Sequence, residues 1–303
     1  MKLSHVRIAL ALAFVVVATA ATAQASPDEL TTRVAEGVYA YGNVGGGYLS
    51  MFVLTDEGVL VVEPVDSAHS EGMLRAIRRL TDKPIRYLVH SHNHWDHSRG
   101  GQVFRDGGAT VLAHVEASEW MKANPHPEMA LPDESWAGRR KDIVLGDKTL
   151  ELHYLGMNHG LGMTVFRVPE ARVVYIADIV TPNRVLFTIV PDFNIKQWER
   201  SLREIEQLDF DRAIYSHNHA GPYGTKADVT KTREFIEDLR AAIHAEFAKG
   251  TSPFVIPKTV RLPKYEHWDM YDEYLEMNAW RVLLDDWMGP FPWHAPRAEE
   301  EDQ

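Results

Sequence analysis

Four side chains that commonly bind metal ions fall within six residues of this chain. Residues 92–97 read His-Asn-His-Trp-Asp-His. His92 and His94 are two residues apart, so they project from the same side of extended backbone. Asp96 and His97 follow where the chain turns, and they can point toward a second position nearby. Because imidazole nitrogen and carboxylate oxygen suit zinc and similar ions, this stretch predicts a metal site.

The surrounding sequence places the motif at the end of a buried strand. Residues 84–89 are rich in branched and aromatic side chains, and two glycines follow at 100 and 101. Ordinary polar roles for all four groups are the alternative, but without a cation such a cluster adds desolvation costs and repulsion between charged imidazoles. His90 continues the alternation, yet the spacing of the motif is met only from His92. We therefore leave His90 outside the site.

Three more potential ligands lie where other predicted strands end. His159 stands in an Asn-His-Gly sequence, and Asp178 follows the apolar run 172–177. His217 follows the short strand predicted at 212–215. Each of these residues alone is weak evidence for a metal ligand. Together they are stronger evidence, because each lies at the end of a predicted strand, as the first cluster does.

Composition limits the chemistry. The chain of 303 residues has no cysteine and a formal net charge of −11. Any metal must therefore be held by His, Asp or Glu, and no thiol nucleophile or disulfide is available. An acidic protein of this kind is a poor candidate for nucleic-acid binding, so we expect a small-molecule substrate.

Residues 1–25 have the features of a signal peptide. Lys2 and Arg7 precede an apolar run, and Ala-Gln-Ala at 23–25 fits the small-x-small cleavage pattern. The apolar run is shorter than the ~20 residues of a membrane span. We expect a mature chain from Ser26 in the periplasm or secreted, without a stable membrane anchor; a retained anchor is the alternative.

Strand and helix patterns alternate along the rest, which predicts an α/β layered architecture. Helical spacing occurs in five stretches, and strand patterns lie between them. The predicted helices are 70–80, 116–122, 197–208, 227–249 and 267–287.

Three other segments carry predictions of their own. Gly45–Gly47 is a candidate flap or a plain hairpin loop, and Asn124–Trp136, with three prolines, is a candidate substrate-facing lid or a surface excursion. Thr251–Pro263 is expected to be a linker with strand character. The aromatic helix after it packs on the core or on a second copy of the chain, which makes a homo-oligomer a candidate. We thus divide the chain into a signal peptide (1–25), a hydrolase domain (26–250) and a C-terminal extension with an acidic tail (251–303).

Taken in order, these motifs resemble those of the metallo-β-lactamase fold superfamily of metal-dependent hydrolases. The resemblance runs from about Val34 to Ile243 and implies an αβ/βα sandwich, two mixed β-sheets flanked by helices. The motifs that carry it are the HxHxDH sequence at 92–97, the sequence NHGLGMT at 158–164, YIAD at 175–178, and the His217 region followed by GTKAD at 224–228.

The resemblance implies two metal ions. His92, His94 and His159 would hold the first, Asp96, His97 and His217 the second, and Asp178 would bridge them. The last histidine is ambiguous. The spacing of the family pattern, counted forward from Asp209, places the ligand at His217, whereas the same spacing counted back from Gly224 places it closer to His219. We prefer His217. Further departures are Ser91 for the usual threonine, Arg99 for a small residue and Glu63 for a frequent aspartate.

The implied activity is that of a dinuclear zinc hydrolase. Two Zn²⁺ ions per chain, with iron or manganese as alternatives, would share a bridging hydroxide that attacks an ester, lactone, thioester or β-lactam. Asp96 would act as the catalytic group that orients the nucleophile or accepts its proton. The resemblance to cysteine-ligand β-lactamases fails because the chain has no cysteine to bind the second metal, and the aspartate at position 178 makes the pattern more similar to glyoxalase II and lactonase relatives. The alternatives are a mononuclear iron enzyme such as a sulfur dioxygenase, and a non-catalytic periplasmic metal or small-molecule binding protein.

Several other side chains are candidates for the substrate pocket. An arginine at position 99 or 184 could hold a substrate carboxylate, although each could equally be a surface residue. The aromatic candidates for the pocket wall are Tyr48, Trp95, Trp136, Phe187 and Phe193.

Overall fold

The computed structural model describes residues 30–44 and 47–289. Twelve strands form two sheets in this part of the chain, one of seven strands and one of five. The predicted signal peptide, the first two glycines of the predicted flap and the acidic tail lie outside the described residues. No helix among the described residues has the length and apolar character to cross a membrane.

The first sheet follows chain order from β1 to β7. Its first four strands pair antiparallel, and the pairs from β4 onward are parallel. The strands are β1 (Thr31–Ala35), β2 (Val38–Gly42), β3 (Leu49–Leu54), β4 (Val59–Val62), β5 (Ile85–Val89), β6 (Thr110–His114) and β7 (Glu134–Trp136).

The second sheet has the order β12-β11-β10-β9-β8. Its pairs are antiparallel except for the parallel pair of β11 and β12. The strands are β8 (Arg140–Leu145), β9 (Lys148–Tyr154), β10 (Thr164–Val168), β11 (Val173–Ile176) and β12 (Arg212–Tyr215).

Eight helices accompany the sheets in the described residues. Those predicted from apolar spacing are all present within a few residues of their expected ends, while α2, α3 and α7 are too short to show a helical period. They are α1 (Ser67–Leu80), α2 (Trp95–Ser98), α3 (Gln102–Asp106), α4 (Val115–Ala123), α5 (Ile195–Gln207), α6 (Lys226–Ala248), α7 (Ile256–Thr259) and α8 (Tyr271–Met288).

The apolar runs of the first sheet are buried on both faces. In β4, Val59 and Val61 contact the layer formed with helix α1, whereas Leu60 and Val62 belong to the core shared with the second sheet. All four are fully buried, as expected for a strand covered on both sides. The two sheets therefore pack face to face with helices outside, which confirms the expected αβ/βα sandwich of two mixed β-sheets.

Two sequence-based expectations are wrong. The segment Asn124–Trp136 is not a lid over the pocket described below, because it ends in β7, which pairs in parallel with β6. Thr251–Pro263 contains the short helix α7 and no strand. The apolar residues of this C-terminal segment and of α8 join the main core.

Candidate metal centre and pocket

The chain leaves β5 at Val89 and enters the site within three residues. The amide of His90 donates to the carbonyl of Leu112 at 2.9 Å, which continues the pairing with β6 one residue further. The ring of His90 turns away and its Nε2 lies 3.0 Å from the carbonyl of Ala130. The short helix α2 then begins after His94 and places Asp96 and His97 one turn away from the strand end.

The residues predicted to bind the first metal ion lie close together. His92, His94, His159 and Asp178 offer ligand atoms that all lie within 4.8 Å of one another. His92 comes from the end of β5, His159 from the loop between β9 and β10, and Asp178 from the loop after β11. Three separate loops at one edge of the two sheets thus supply this group.

A second group collects the residues predicted for the other metal. Asp96, His97 and His217 also offer ligand atoms within 4.8 Å of one another. Asp178 lies between the groups, with its Oδ2 2.9 Å from Nε2 of both His97 and His159 and its Oδ1 3.2 Å from Nε2 of His217. The seven predicted ligands therefore form two adjoining groups that meet at the nearly buried carboxylate of Asp178.

Glu63 fixes the orientation of one of these candidate ligands, His97. Its carboxylate pairs with Nδ1 of His97, and both side chains are almost fully buried. A carboxylate that fixes the second nitrogen of a ligand histidine sets the tautomer and the direction of the ring. The sequence marked Glu63 only as a departure, whereas here it gives His97 a fixed orientation toward Asp178.

The electrostatics favour the protonation states that metal ligands need at three of these side chains, whereas at His97 the neighbouring carboxylates outweigh burial and raise the pKa. Burial lowers the pKa of His92, which is fully buried, well below its usual value. Burial also lowers the pKa of His159, in this case to about 4. Burial alone would raise the pKa of Asp178, but the imidazoles of His97, His159 and His217 hold it well below its usual range. Neutral imidazole and ionised carboxylate are the forms that bind metals.

Two buried histidine nitrogens at this site lack hydrogen-bond partners, as expected for metal ligands. Nε2 of His92 and of His97 are buried and have no hydrogen-bond partner, and the latter lies 2.9 Å from Asp178 Oδ2 without hydrogen-bond geometry. Buried polar atoms are normally satisfied. Orphaned nitrogens that face an anionic carboxylate are therefore accounted for by a metal ion between them, and five imidazoles with two carboxylates are a suitable set of ligands for zinc.

The two candidates for the last histidine have different partners. His217 approaches Asp178, Asp96 and His97, whereas His219 lies 3.2 Å from Nη1 of Arg184 through its Nε2. Burial and the neighbouring Arg184 lower the pKa of His219. The geometry therefore favours His217 as the ligand and assigns His219 to the wall of the pocket.

Sequence reasoning missed one acidic residue at the centre. Asp192 lies in the long loop between β11 and α5, and its Oδ2 is 2.7 Å from Nε2 of His94. Phe193 follows and packs its ring on His159, with centroids 3.6 Å apart. No local motif marks Asp192, because its place depends on the path of the whole loop.

A cavity of about 370 Å³ opens beside the candidate metal ligands. Tyr48, Phe187, Phe193 and Arg184 line it as predicted. The hydroxyl of Tyr48 also donates to Asp96 Oδ2 at 2.9 Å, which fixes that carboxylate. The other apolar lining residues are Ile179, Val185, Leu186, Pro191 and Trp198.

Three predicted pocket residues lie elsewhere. Trp95 is exposed and contacts His126, and Trp136 is buried against His114 on the far side of β6. Arg99 faces Glu128 rather than the cavity. The sequence shows that an aromatic or basic residue lies near a strand end. Whether its side chain points into the cavity depends on the fold.

The sequence profile of the metallo-beta-lactamase superfamily matches residues 44–217, more than half of the chain. The chain belongs to the metallo-beta-lactamase superfamily. The matched region holds all seven predicted ligands. The profile begins after the described β2 and ends at His217, so the C-terminal helices lie outside it.

Comparison with individual proteins gives more distant relatives. The α subunit of 2,4-dinitroanisole O-demethylase from Nocardioides sp. (strain JS1661) is 29% identical over 177 residues, which are 57% of this chain and 53% of that protein. This chain thus spans about half the length of that curated relative.

Solved structures share the fold at low sequence identity. A metallo-beta-lactamase from Pontibacter korlensis is 17% identical with a TM-score of 0.60, and the match covers 68% of this chain and 98% of that one. A stereoselective inverting sec-alkylsulfatase from Pseudomonas sp. is 15% identical with a TM-score of 0.70, covering 86% of this chain and 50% of that one. These likenesses establish the fold alone.

Proposed function

We propose that this chain is an exported dinuclear zinc hydrolase that cleaves an ester, lactone, thioester or β-lactam. The observation that carries the proposal is the Asp178 carboxylate, which lies between two groups of histidine and aspartate ligands. His92, His94 and His159 would hold one ion, and Asp96, His97 and His217 the other. Two zinc ions held in this way supply a hydroxide nucleophile near neutral pH and polarise the scissile carbonyl group.

Two side chains of the protein have further proposed roles beside the metal ions. Asp96 is the proposed catalytic residue, which orients the attacking water and accepts its proton, and its half-exposed carboxylate faces the cavity. Tyr48 holds this carboxylate through Oδ2. The hydrogen bond and charge of His97 lower the pKa of Asp96 against the effect of burial, so the carboxylate is ionised, the form that binds a metal ion and orients a water molecule.

The cavity favours a small, mainly apolar substrate with one anionic or strongly electron-rich group. Apolar side chains form most of its wall, and among the described residues that line it Arg184 is the only cationic one apart from the histidines. The guanidinium is mostly buried, with a side-chain exposure of 19%. An arginine of this kind can hold a carboxylate or a similar group by paired hydrogen bonds.

A second candidate substrate is an activated aryl ether. The relative from Nocardioides is named a 2,4-dinitroanisole O-demethylase subunit, and the cavity here has aromatic walls at Phe187, Phe193 and Trp198. Such walls suit a flat aromatic ring. The proposal therefore includes 2,4-dinitroanisole in the set of substrates to be tested.

Metal analysis with a substrate panel tests the proposal. Protein from Ser26 onward should contain about two zinc ions per chain, and it should turn over at least one lactone, thioester, ester, β-lactam or aryl ether. Asp96→Ala and His94→Ala should abolish turnover while leaving the far-ultraviolet circular dichroism unchanged. Full turnover by metal-free protein would contradict the proposal, and one iron per chain with oxygen consumption would favour the dioxygenase alternative. A zinc-loaded protein that is inert across the panel would favour the binding-protein alternative.

Export is proposed from the charge and apolar pattern of residues 1–25. Expression of the full chain in a bacterial host should give a periplasmic protein that begins near Ser26. Mass spectrometry of the fractionated cells measures both the compartment and the first residue. An intact N-terminus in the cytosolic fraction would be inconsistent with export.

A further inference from the structure

The wall of the pocket between Asp178 and helix α5 is an irregular loop in an unfavourable backbone conformation. Asn183, Thr188 and Val190 have positive φ values of 54°, 47° and 42°. Positive φ is costly for a β-branched residue and persists only where the surroundings impose it. Something outside the loop must therefore hold it in place.

Two buried side chains of α8 provide this support. Asn278 Nδ2 donates to the carbonyls of Thr188 at 2.7 Å and Leu186 at 3.0 Å. Arg281 donates through Nε to the carbonyl of Val190 at 3.1 Å and through Nη2 to the carbonyl of Phe193. Four backbone carbonyls of the pocket loop are thus bound by one turn of a helix that lies outside the family profile.

Burial makes these contacts specific. Asn278 is fully buried and Arg281 is 1% exposed, and such groups are costly in a protein interior unless their hydrogen bonds are made. Asp285, also fully buried, lies 3.6 Å from Arg281 Nη1 and balances its charge. A different path of the loop would leave the donors of both side chains without their acceptors.

The supported loop contacts the proposed metal centre directly. Asp192 lies between the two carbonyls bound by Arg281, and its carboxylate meets His94. Phe193 lies against His159. Leu186 and Phe187 line the cavity from the same loop. Any shift of this loop changes the cavity wall and the surroundings of two predicted ligands.

We propose that Asn278 and Arg281 are positioning residues that set the pocket wall, and that α8 thereby determines which substrates fit beside the metals. This inference rests on the proposed metal-dependent function for its consequence, whereas the support of the loop is independent of turnover. The C-terminal extension is then a component of the active site. Selectivity between bulky and small ligands is the property that it controls.

Two variants and one control on α8 separate this role from general stability. Asn278→Ala removes two hydrogen bonds without leaving a charge. The double variant Arg281→Met with Asp285→Asn removes the other two hydrogen bonds and leaves no unpaired buried carboxylate. The control is Asp286→Asn, which removes the ion pairs of α8 with Arg240 and His244 and changes no side chain that holds the loop.

Hydrogen–deuterium exchange and ligand affinity are the measurements. In either α8 variant, peptides covering residues 181–194 should exchange about tenfold faster than in the wild type. The ratio of dissociation constants of zinc-loaded protein for benzohydroxamate and acetohydroxamate should change by about threefold or more. The control should leave the exchange of this loop and the ratio unchanged at a similar loss of melting temperature.

The outcomes distinguish this inference from the proposed function. Folded variants with wild-type exchange in residues 181–194 and a wild-type affinity ratio would overturn the inference. If the protein binds zinc but hydrolyses nothing, exchange and the hydroxamate ratio still decide the inference, while the proposed function fails. If it binds no zinc, the proposed function fails and exchange alone decides whether α8 positions the loop.

Discussion

The proposed second metal ion depends on which of two nearby histidines is its ligand. His217 and His219 are two residues apart and both line the cavity, yet only His217 lies within ligand distance of Asp96 and His97. We predict that His217→Ala lowers the zinc content from about two ions per chain to about one, because the second ion loses a ligand. Elemental analysis after dialysis against buffered zinc measures this content.

His219→Ala is the matched control for that experiment. It removes an imidazole from the same loop and frees Arg184 Nη1 from its contact, but it should leave two zinc ions per chain. The reverse result, with zinc lost only in His219→Ala, would show that the count back from Gly224 gives the correct ligand.

A histidine away from the metal centre links stability to pH. His69 contacts Ser50 Oγ at 2.8 Å, and burial lowers its pKa to about 4 against the opposing effect of Asp66. Below pH 6.5 the unfolded chain binds a proton at this residue that the folded chain does not bind, so stability falls as pH falls from 6.5 toward 4. At pH 5 this loss amounts to about 2 kcal/mol.

The variant His69→Gln tests the link, because it keeps a hydrogen-bonding group near Ser50 and removes the titration. Urea unfolding of zinc-free protein at pH 7 and at pH 5 gives the two free energies of unfolding. The difference between them should be smaller in the variant by about 2 kcal/mol. An identical difference in both proteins would show that His69 is not the group responsible.

Among the elements, the turn after α2 controls the position of the first motif. Gly100 has φ of +76°, and a Cβ there would lie 2.2 Å from the backbone of Asp66. Gly108 has φ of +91°, and a Cβ there would meet nothing within 4 Å. The two glycines share the conformational constraint and differ only in the backbone contact.

We predict that Gly108→Ala lowers the free energy of unfolding by about 1 kcal/mol, the cost of placing alanine at positive φ. Gly100→Ala should cost about 3 kcal/mol or more, since backbone atoms must also move. It should weaken zinc binding too, because Gly100 is three residues beyond His97. Thermal unfolding and zinc titration against a competing chelator measure both effects, and equal losses in the two variants would contradict this account.

The sequence predicted the elements that carry strong apolar patterns. Strand β5 and helices α1, α5 and α6 were found because their buried faces repeat at the strand or helix period. Edge strands were missed: β8 begins with three consecutive charged residues and has an exposed valine between its two buried residues, and β7 is only three residues long. Such strands exist because a neighbour pairs with them, and pairing leaves little trace in a local pattern.

The same reasoning explains what could be predicted of the site. Seven ligands stood at strand ends, and parallel strands bring their carboxyl ends to one edge of a sheet, so their meeting followed from the fold. Asp192 stood in no motif, and its position depends on the loop that Asn278 and Arg281 hold from 88 or more residues away along the chain. Long-range hydrogen bonds of this kind cannot be read from local sequence.

At the scale of the whole molecule, the described part of the C-terminal extension packs into the main core. Ten of its apolar side chains are buried in the same cluster as the strands of both sheets. They are Ile256, Val260, Leu262, Tyr265, Trp268, Tyr271, Leu275, Ala279, Val282 and Leu283. Burial of ten such side chains contributes roughly 15 kcal/mol of hydrophobic free energy, before the entropy lost in ordering the segment is subtracted.

A boundary at residue 250 is therefore a testable division of the chain. We predict that a protein ending at Gly250 fails to fold by itself, because it would expose the apolar surface of α6 that faces α8 and lose the support of the pocket loop. Near-ultraviolet circular dichroism should show no ordered aromatic side chains. Co-expression of residues 251–289 as a separate chain should restore soluble, folded protein, since the same surfaces can associate between chains. A truncated protein that unfolds cooperatively near the wild-type melting temperature would instead establish residues 26–250 as an independent domain.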